Sequence, residues 1–260
     1  MIDSSEEKDV EFVQRPIETV FFDWDRTLAY IKTLTDTLAG RLARMFALAD
    51  LPYSASEIES ALVLYDRDVA AGKVPALVVQ PQRKRDIARF YKRILDYLGE
   101  EDTSRPAMEQ LYSTYALLPT YLYEDSRPTL SLLREQGYQL GIISNHSVLA
   151  RPVIERLVGD LIPPENILIS EEIGVHKPAK TIFRRAAARL KTDPSCCIVY
   201  VGDNLDVDAV GSVNAGGFCG GVWLDRPDKG ADLVLPEGVV RITSLYELPP
   251  LLEAAPHREA

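Results

Sequence analysis

Short runs of apolar, β-branched and aromatic residues alternate along most of the chain with amphipathic stretches of helical period. Ile17–Phe22 (IETVFF) is the first such run, and its composition predicts a strand ending at Asp23. Residues 138–144 (YQLGIIS), 167–170, 198–201 and 218–223 repeat the pattern. Between these runs, residues 127–136, 148–158, 180–190 and 208–214 carry helical periodicity. Pro128 suits the first turn of its helix, and Gly137 stands where a left-handed cap would close it. Strands alternating with helices imply right-handed crossovers and a parallel sheet covered on both faces.

The alternation stops between about 31 and 120. Four helical segments follow one another there, at 33–49, 56–71, 83–98 and 106–118. Glu57 and Glu59 follow Ser56 in a first turn, while Gly72 and Gly99 come just after helix ends. Only residues 76–79 offer a short apolar run that could be a strand. The expected fold is therefore α/β, a Rossmann-like parallel sheet core with an inserted all-helical cap domain. Its parts are an N-terminal arm (1–16), the core (17–30 and 120–252), the cap (31–119) and a C-terminal tail (253–260).

Composition narrows the classes of partner. The chain has 260 residues with 29 Lys and Arg against 39 Asp and Glu, a formal charge of −10. With a pI near 4.9, broad attraction to nucleic acid or to an anionic membrane is not expected. No apolar run approaches the ~20 residues of a bilayer span, and the acidic N-terminus lacks a signal-like apolar stretch. A soluble, cytoplasmic protein is expected. Cys196, Cys197 and Cys219 form no CxxC spacing and are expected to be unpaired buried thiols. His146, His176 and His257 lack the spacing of a zinc site.

In open parallel sheets, ligands bind beyond the carboxyl ends of the strands. There the first strand delivers Asp23-Trp24-Asp25-Arg26-Thr27, and the 138–144 run ends in Ser144-Asn145. The 198–201 run leads into Gly202-Asp203 and Asn204-Leu-Asp-Val-Asp208, and a loop before a helix carries Lys177. Asp23, Asp25, Asp203 and Asp208, with Asp206 nearby, would crowd like charges into one crevice and raise one another's pKa values. A hard divalent cation relieves that repulsion, and an oxygen-only donor set suits Mg²⁺.

FFDWDRTL, then IISN, then Lys-Pro, then VGDNLDVDAVGSVNAG, in that order, resemble the haloacid dehalogenase-like hydrolase superfamily. The resemblance spans the core segments, and the helical insertion stands where that family's helical cap stands. It implies a phosphatase of small phosphorylated metabolites working through an aspartyl-phosphate. In that scheme Asp23 is the nucleophile and Asp25 the general acid and base. Thr27 and Ser144, with Asn145, bind the phosphoryl group, and Lys177 offsets its charge. Asp23 and Asp203 hold Mg²⁺ directly, the backbone carbonyl of Asp25 completes the protein ligands, and Asp208 acts mainly through the metal's water shell. The family's usual GDxxxxD spacing selects Asp208 over Asp206, which stays open as the alternative.

An acid at position 25 fits an alkoxide leaving group, so a phosphate ester is favoured over the alkyl halide of a haloacid dehalogenase. A sugar-phosphate mutase of the same fold is the nearest rival. A phospho-receiver would carry adjacent acids on its first strand and its acceptor on a later one, and a silent interaction protein would not keep every chemical position filled. Arg26 departs from the glycine usual at its position and is expected to have a structural or cap-facing role. The basic stretch 83–93 reads as a solvated face, Trp24 as packing under the cap, and Tyr112, Tyr115, Tyr121 and Tyr123 as cap packing. His146 is a candidate for the substrate mouth.

Overall fold

β1 (Ile17–Phe22) lies inside a six-stranded sheet, and its last four residues are buried because both faces of the sheet are covered. Val20 and Phe22 point into one hydrophobic cluster and Phe21 into another on the opposite face. The computed structural model describes residues 15–32, 37–77, 84–190, 192 and 197–254. Most of the N-terminal arm, Arg83, Cys196, the second half of the 76–79 run and the tail beyond Ala254 lie outside the described residues; Ala76 and Leu77 form no strand.

After β1 come β2 (Ala29–Ile31) and the helices α1 (Leu38–Leu48), α2 (Ala55–Ala70), α3 (Lys84–Leu98) and α4 (Arg105–Ser113). A 3₁₀ turn, Thr114–Leu117, leads to β3 (Thr120–Leu122), which pairs antiparallel with β2 in a two-stranded ribbon. The chain continues through α5 (Ser126–Glu135), β4 (Gln139–Ser144), α6 (Ala150–Val158), β5 (Ile167–Ile169), α7 (Ser170–Ile173) and α8 (Lys180–Leu190). It closes with β6 (Cys197–Gly202), a π-helical segment (Leu205–Val210), α9 (Gly211–Ala215), β7 (Gly220–Leu224), β8 (Val239–Ile242) and α10 (Leu248–Glu253).

The strand order is β5-β4-β1-β6-β7-β8, parallel throughout. Successive strands run outward to one side of β1 and then to the other, so the order reverses beside β1. That reversal opens a crevice at the carboxyl ends of β1, β4 and β6. Leu130, Leu133, Val153, Ile154 and Leu252 cover one face of the sheet, and Ile182, Phe183, Ala186 and Ala215 cover the other. Helices α1–α4 share a separate cluster built on Leu42, Phe46, Ile58, Ile94 and Leu111.

Local chemistry accounts for the boundaries. α2 starts one residue before the predicted position, because Ser54 caps it in a reciprocal box with Glu57. Gly137 takes the expected left-handed φ of 91° after α5. The helix expected at 208–214 begins earlier, since Asn204 caps Val207 N and the first turns widen to π geometry.

Three expectations are corrected. Cys197 and Cys219 are joined in a disulfide with Cα atoms 5.7 Å apart, because β6 and β7 are neighbours and bring these positions together. Trp24 packs into the sheet's own cluster rather than under the helices, since the tight turn after β1 folds it back beside Leu28. Tyr121 and Tyr123 surround Tyr30 on the ribbon instead of joining the helical cluster. Tyr112 and Tyr115 do pack with the helices. Along α3, Arg85 and Arg89 share Asp86 while Lys92 and Arg93 share Asp96, so two acids offset part of the charge of an exposed basic face.

Candidate active site

Lys177 is the centre of the crevice, with only 1% of its surface exposed. Its ammonium spends all three donors: on Asp23 Oδ1 at 2.6 Å, Asp208 Oδ1 at 2.8 Å and the Tyr200 hydroxyl at 2.7 Å. Tyr200 in turn donates to Ile143 O at 2.8 Å, so its oxygen is held where the lysine needs an acceptor. Asp208 reaches the site from the π-helical segment and also accepts from Asn204 N. A side chain at Gly202 would come within 2.4 Å of the Asp208 carboxylate, which explains why glycine precedes Asp203.

Asp23, Asp203 and Asp208 each present an oxygen within 4.8 Å of the others, a group able to hold a metal ion. Asp208 is buried and Asp206 is exposed, so the geometry brings the former into the group. Fully ionised, the three carboxylates would exceed the one ammonium by two negative charges. An all-oxygen donor set with that excess fits Mg²⁺ on chemical grounds.

The same crowding shifts the acids. Burial, reinforced by Asp208 and Asp203 and only partly opposed by Lys177, pushes Asp23 up to about 8. Burial, with Asp208 adding to it and Arg26 opposing it, raises Asp203 to about 6. Burial would lower Lys177, yet Asp208 and Asp23 raise it overall, so it stays an ammonium. Both acids hold protons in the fold that the unfolded chain has released above pH 3.8. The stability this gives is complete below 3.8 and is lost as pH rises through 6 and then 8. Without divalent cations, the melting temperature is expected to fall over that window, and less steeply in Asp23→Asn; scanning fluorimetry across pH checks both.

The remaining predicted residues are dispersed around this centre. Thr27 is buried, and its hydroxyl lies 3.4 Å from Asp23 Oδ2. Ser144 is buried at the end of β4. Asn145 is tied to the lysine loop: its amide nitrogen donates to Lys177 O at 2.9 Å and its oxygen accepts from Lys177 N at 2.7 Å. Asn145 thus holds the lysine loop, and its amide nitrogen keeps a second N–H beyond the one these bonds use. Asp25 keeps 39% of its side chain exposed and lies 3.4 Å from His146 Nε2.

Arg26 adopts a left-handed φ of 63°, the conformation a glycine would supply in the turn closed by Arg26 N and Ala29 O. Its exposed cation favours the charged form of Asp203. Arg226 fastens the same turn, donating to Thr27 O at 2.8 Å while paired with Asp125.

Sequence reasoning missed Tyr200 and Glu171, and it gave His146 no partner. Tyr200 reads as a core strand residue. Glu171 accepts from Val148 N, Tyr112 Oη and Lys84 N, and so binds helices α3 and α4 to the loop after β4. Burial holds the His146 imidazole below its ordinary 6.5, against the pull of Asp25. A Ser-Asn-His run directly after a strand end was the available signal.

The family model for haloacid dehalogenase-like hydrolases matches residues 17–216. The glyceraldehyde 3-phosphate phosphatase of Methanopyrus kandleri is 32% identical over 204 residues, covering 77% of this chain and 81% of that protein. Its counterpart in Pyrococcus furiosus is 27% identical over 243 residues, covering 92% and 93%. Among solved structures, a 2-haloacid dehalogenase from Pseudomonas syringae aligns with a TM-score of 0.63 at 22% identity, covering 91% of this chain and 98% of that one. At that identity the likeness speaks for the fold alone. Among the described residues, no helix is long and apolar enough to cross a membrane.

Proposed function

The chain belongs to the haloacid dehalogenase-like hydrolase family and is a phosphatase of it, and on that premise we propose a Mg²⁺-dependent hydrolase of small phosphorylated metabolites. The observation that carries this reading is the cluster of Asp23, Asp203 and Asp208, with buried Lys177 paired to the first and the last.

Asp23 attacks phosphorus and forms an aspartyl-phosphate, while Asp25 gives its proton to the departing alkoxide. Asp25 then takes a proton from water, whose oxygen attacks the phosphorus and restores the Asp23 carboxylate. Lys177 faces Asp23 throughout and carries positive charge at the reacting group. Thr27 and Ser144 supply hydroxyl donors to the phosphoryl oxygens. Mg²⁺, held by Asp23, Asp203, Asp208 and the backbone carbonyl of Asp25, would supply the positive charge that the acids lack. Helices α1–α4 act as the cap that keeps bulk water from the intermediate. The proposal includes a cytoplasmic location, where such metabolites are made and consumed.

Relatives named glyceraldehyde 3-phosphate phosphatases put three-carbon sugar phosphates first in a substrate panel. Phosphate release with Mg²⁺, abolished by EDTA, is the expected result; no release from any ester in a panel of phosphometabolites and aryl phosphates would refute the reading. Because protons and the cation compete for Asp23 and Asp203, Mg²⁺ is expected to raise the melting temperature more at pH 8 than at pH 6.

A further inference from the structure

His146 is buried directly after the strand end that delivers Ser144, and each of its ring nitrogens has a defined partner. Nδ1 accepts the backbone N–H of Ser147 at 2.7 Å. A nitrogen that accepts a hydrogen bond carries no proton, so the ring proton must sit on Nε2. Two oxygens lie near Nε2: Tyr115 Oη at 2.5 Å and Asp25 Oδ2 at 3.4 Å. Tyr115 is therefore an acceptor of this bond, and both its oxygen and the Asp25 carboxylate compete for a single N–H. Tyr115 belongs to the helical cluster, whereas His146 and Asp25 belong to loops at the sheet edge.

We propose that His146 is the positioning residue for Asp25: its Nε2–H swings between the Tyr115 hydroxyl and Asp25 Oδ2, and in the second position aims the other carboxyl oxygen at the leaving group. The proposal rests on the assignment of Asp25 as general acid and base. No proton leaves His146 in this scheme; the proton given to the alkoxide is that of Asp25. A carboxyl with 39% exposure has rotational freedom, and a donor fixed by a backbone N–H on its far side removes it. Tyr115 supplies an alternative acceptor from the helical block, so the aim of Asp25 depends on where that block sits.

A misaimed acid harms poor leaving groups more than good ones, and kcat/KM reports the steps through transfer of the phosphoryl group to Asp23. The test compares kcat/KM for 4-nitrophenyl phosphate, whose leaving group needs little protonation, with that for phenyl phosphate. In His146→Leu, phenyl phosphate is expected to lose about 10²-fold and 4-nitrophenyl phosphate less than about 10-fold. His146→Gln, whose amide reaches the Nε2 position with an N–H, is expected to recover most of the phenyl phosphate rate. Tyr115→Phe, which leaves Asp25 as the remaining acceptor, is expected to keep the wild-type ratio of the two substrates.

Equal losses on both esters, no loss on either, or a failure of glutamine to rescue would overturn the proposal. So would a leaving-group-selective loss in Tyr115→Phe. If His146→Leu does not fold, His146→Asn, whose amide ends short of Asp25, takes its place with the same expected ratio. A wild-type protein that hydrolyses neither ester would count against the phosphatase reading itself, and is distinguishable from these outcomes.

Discussion

Asp23→Asn is expected to remove turnover, lowering phosphate release by at least about 10⁴-fold with Mg²⁺ present, without unfolding the protein. Asparagine keeps the shape of the side chain but cannot form the acyl-phosphate, and loss of a nucleophile is the most damaging single change in covalent catalysis. The stability side is the sharper part of the expectation. Asp23 is held near 8 because burial and two neighbouring carboxyls oppose its charge. Removing that charge leaves Lys177 bonded to Asp208 and to Tyr200, so the ammonium stays paired. The metal-free variant is expected to melt at or above the wild-type temperature at pH 8, and to gain less from Mg²⁺. Near-wild-type phosphate release in this variant would refute the nucleophile assignment.

Lys177→Met is expected to damage both activity and folding. Methionine matches the lysine stem in length but offers none of the three hydrogen bonds that the ammonium makes. Breaking a buried charge pair by removing one partner costs about 3–5 kcal/mol, because the surviving charge stays buried without compensation. Here two carboxylates lose their cation at once. At pH 8 the variant is expected to lose stability of that order in denaturant titrations. The deficit shrinks toward pH 5, where Asp23 carries a proton and has less to lose. The rate is expected to fall by about 10³-fold or more, as when a transition-state cation is withdrawn in phosphoryl transfer. A variant retaining a tenth of the wild-type rate would exclude Lys177 from the reaction. The two substitutions thus separate cleanly: one silences the site while keeping the fold, and the other weakens both.

The features legible in the sequence are those encoded by local pattern. Strands with both faces covered are short uninterrupted apolar runs, so β1, β4 and β6 stand out, and with them the edge that carries Asp23, Ser144 and Asp203. The choice of Asp208 over Asp206 comes only from the resemblance; in the fold, the capped turn after Asn204 places Asp208 inward and leaves Asp206 exposed. The ribbon is not readable: three residues per strand give no periodicity, and Ala29–Ile31 finds its partner only across the whole helical insertion. β8 (VVRI) is only one residue longer and follows a long irregular stretch.

Side chains whose role depends on a distant partner are hidden for a different reason. Tyr200 faces the same way as Ile198 in β6 and joins the same cluster, and nothing local distinguishes its hydroxyl from that of any core tyrosine. The contacts of Asn145 with the backbone of Lys177 are hidden for the same reason, since the two residues lie far apart in the chain.

The ribbon has a consequence for how the molecule is built. Ala29 sits opposite Leu122 and Ile31 opposite Thr120, so the chain leaves the sheet and returns to it through one paired stem. To the six strands, the whole excursion counts as a hairpin: its ends are joined locally, and the entropy of closing so long a loop is met by a few ladder bonds instead of by the sheet's own contacts. What hangs from the stem can be lengthened, shortened or exchanged between descendants while strand register and carboxylate geometry stay as they are.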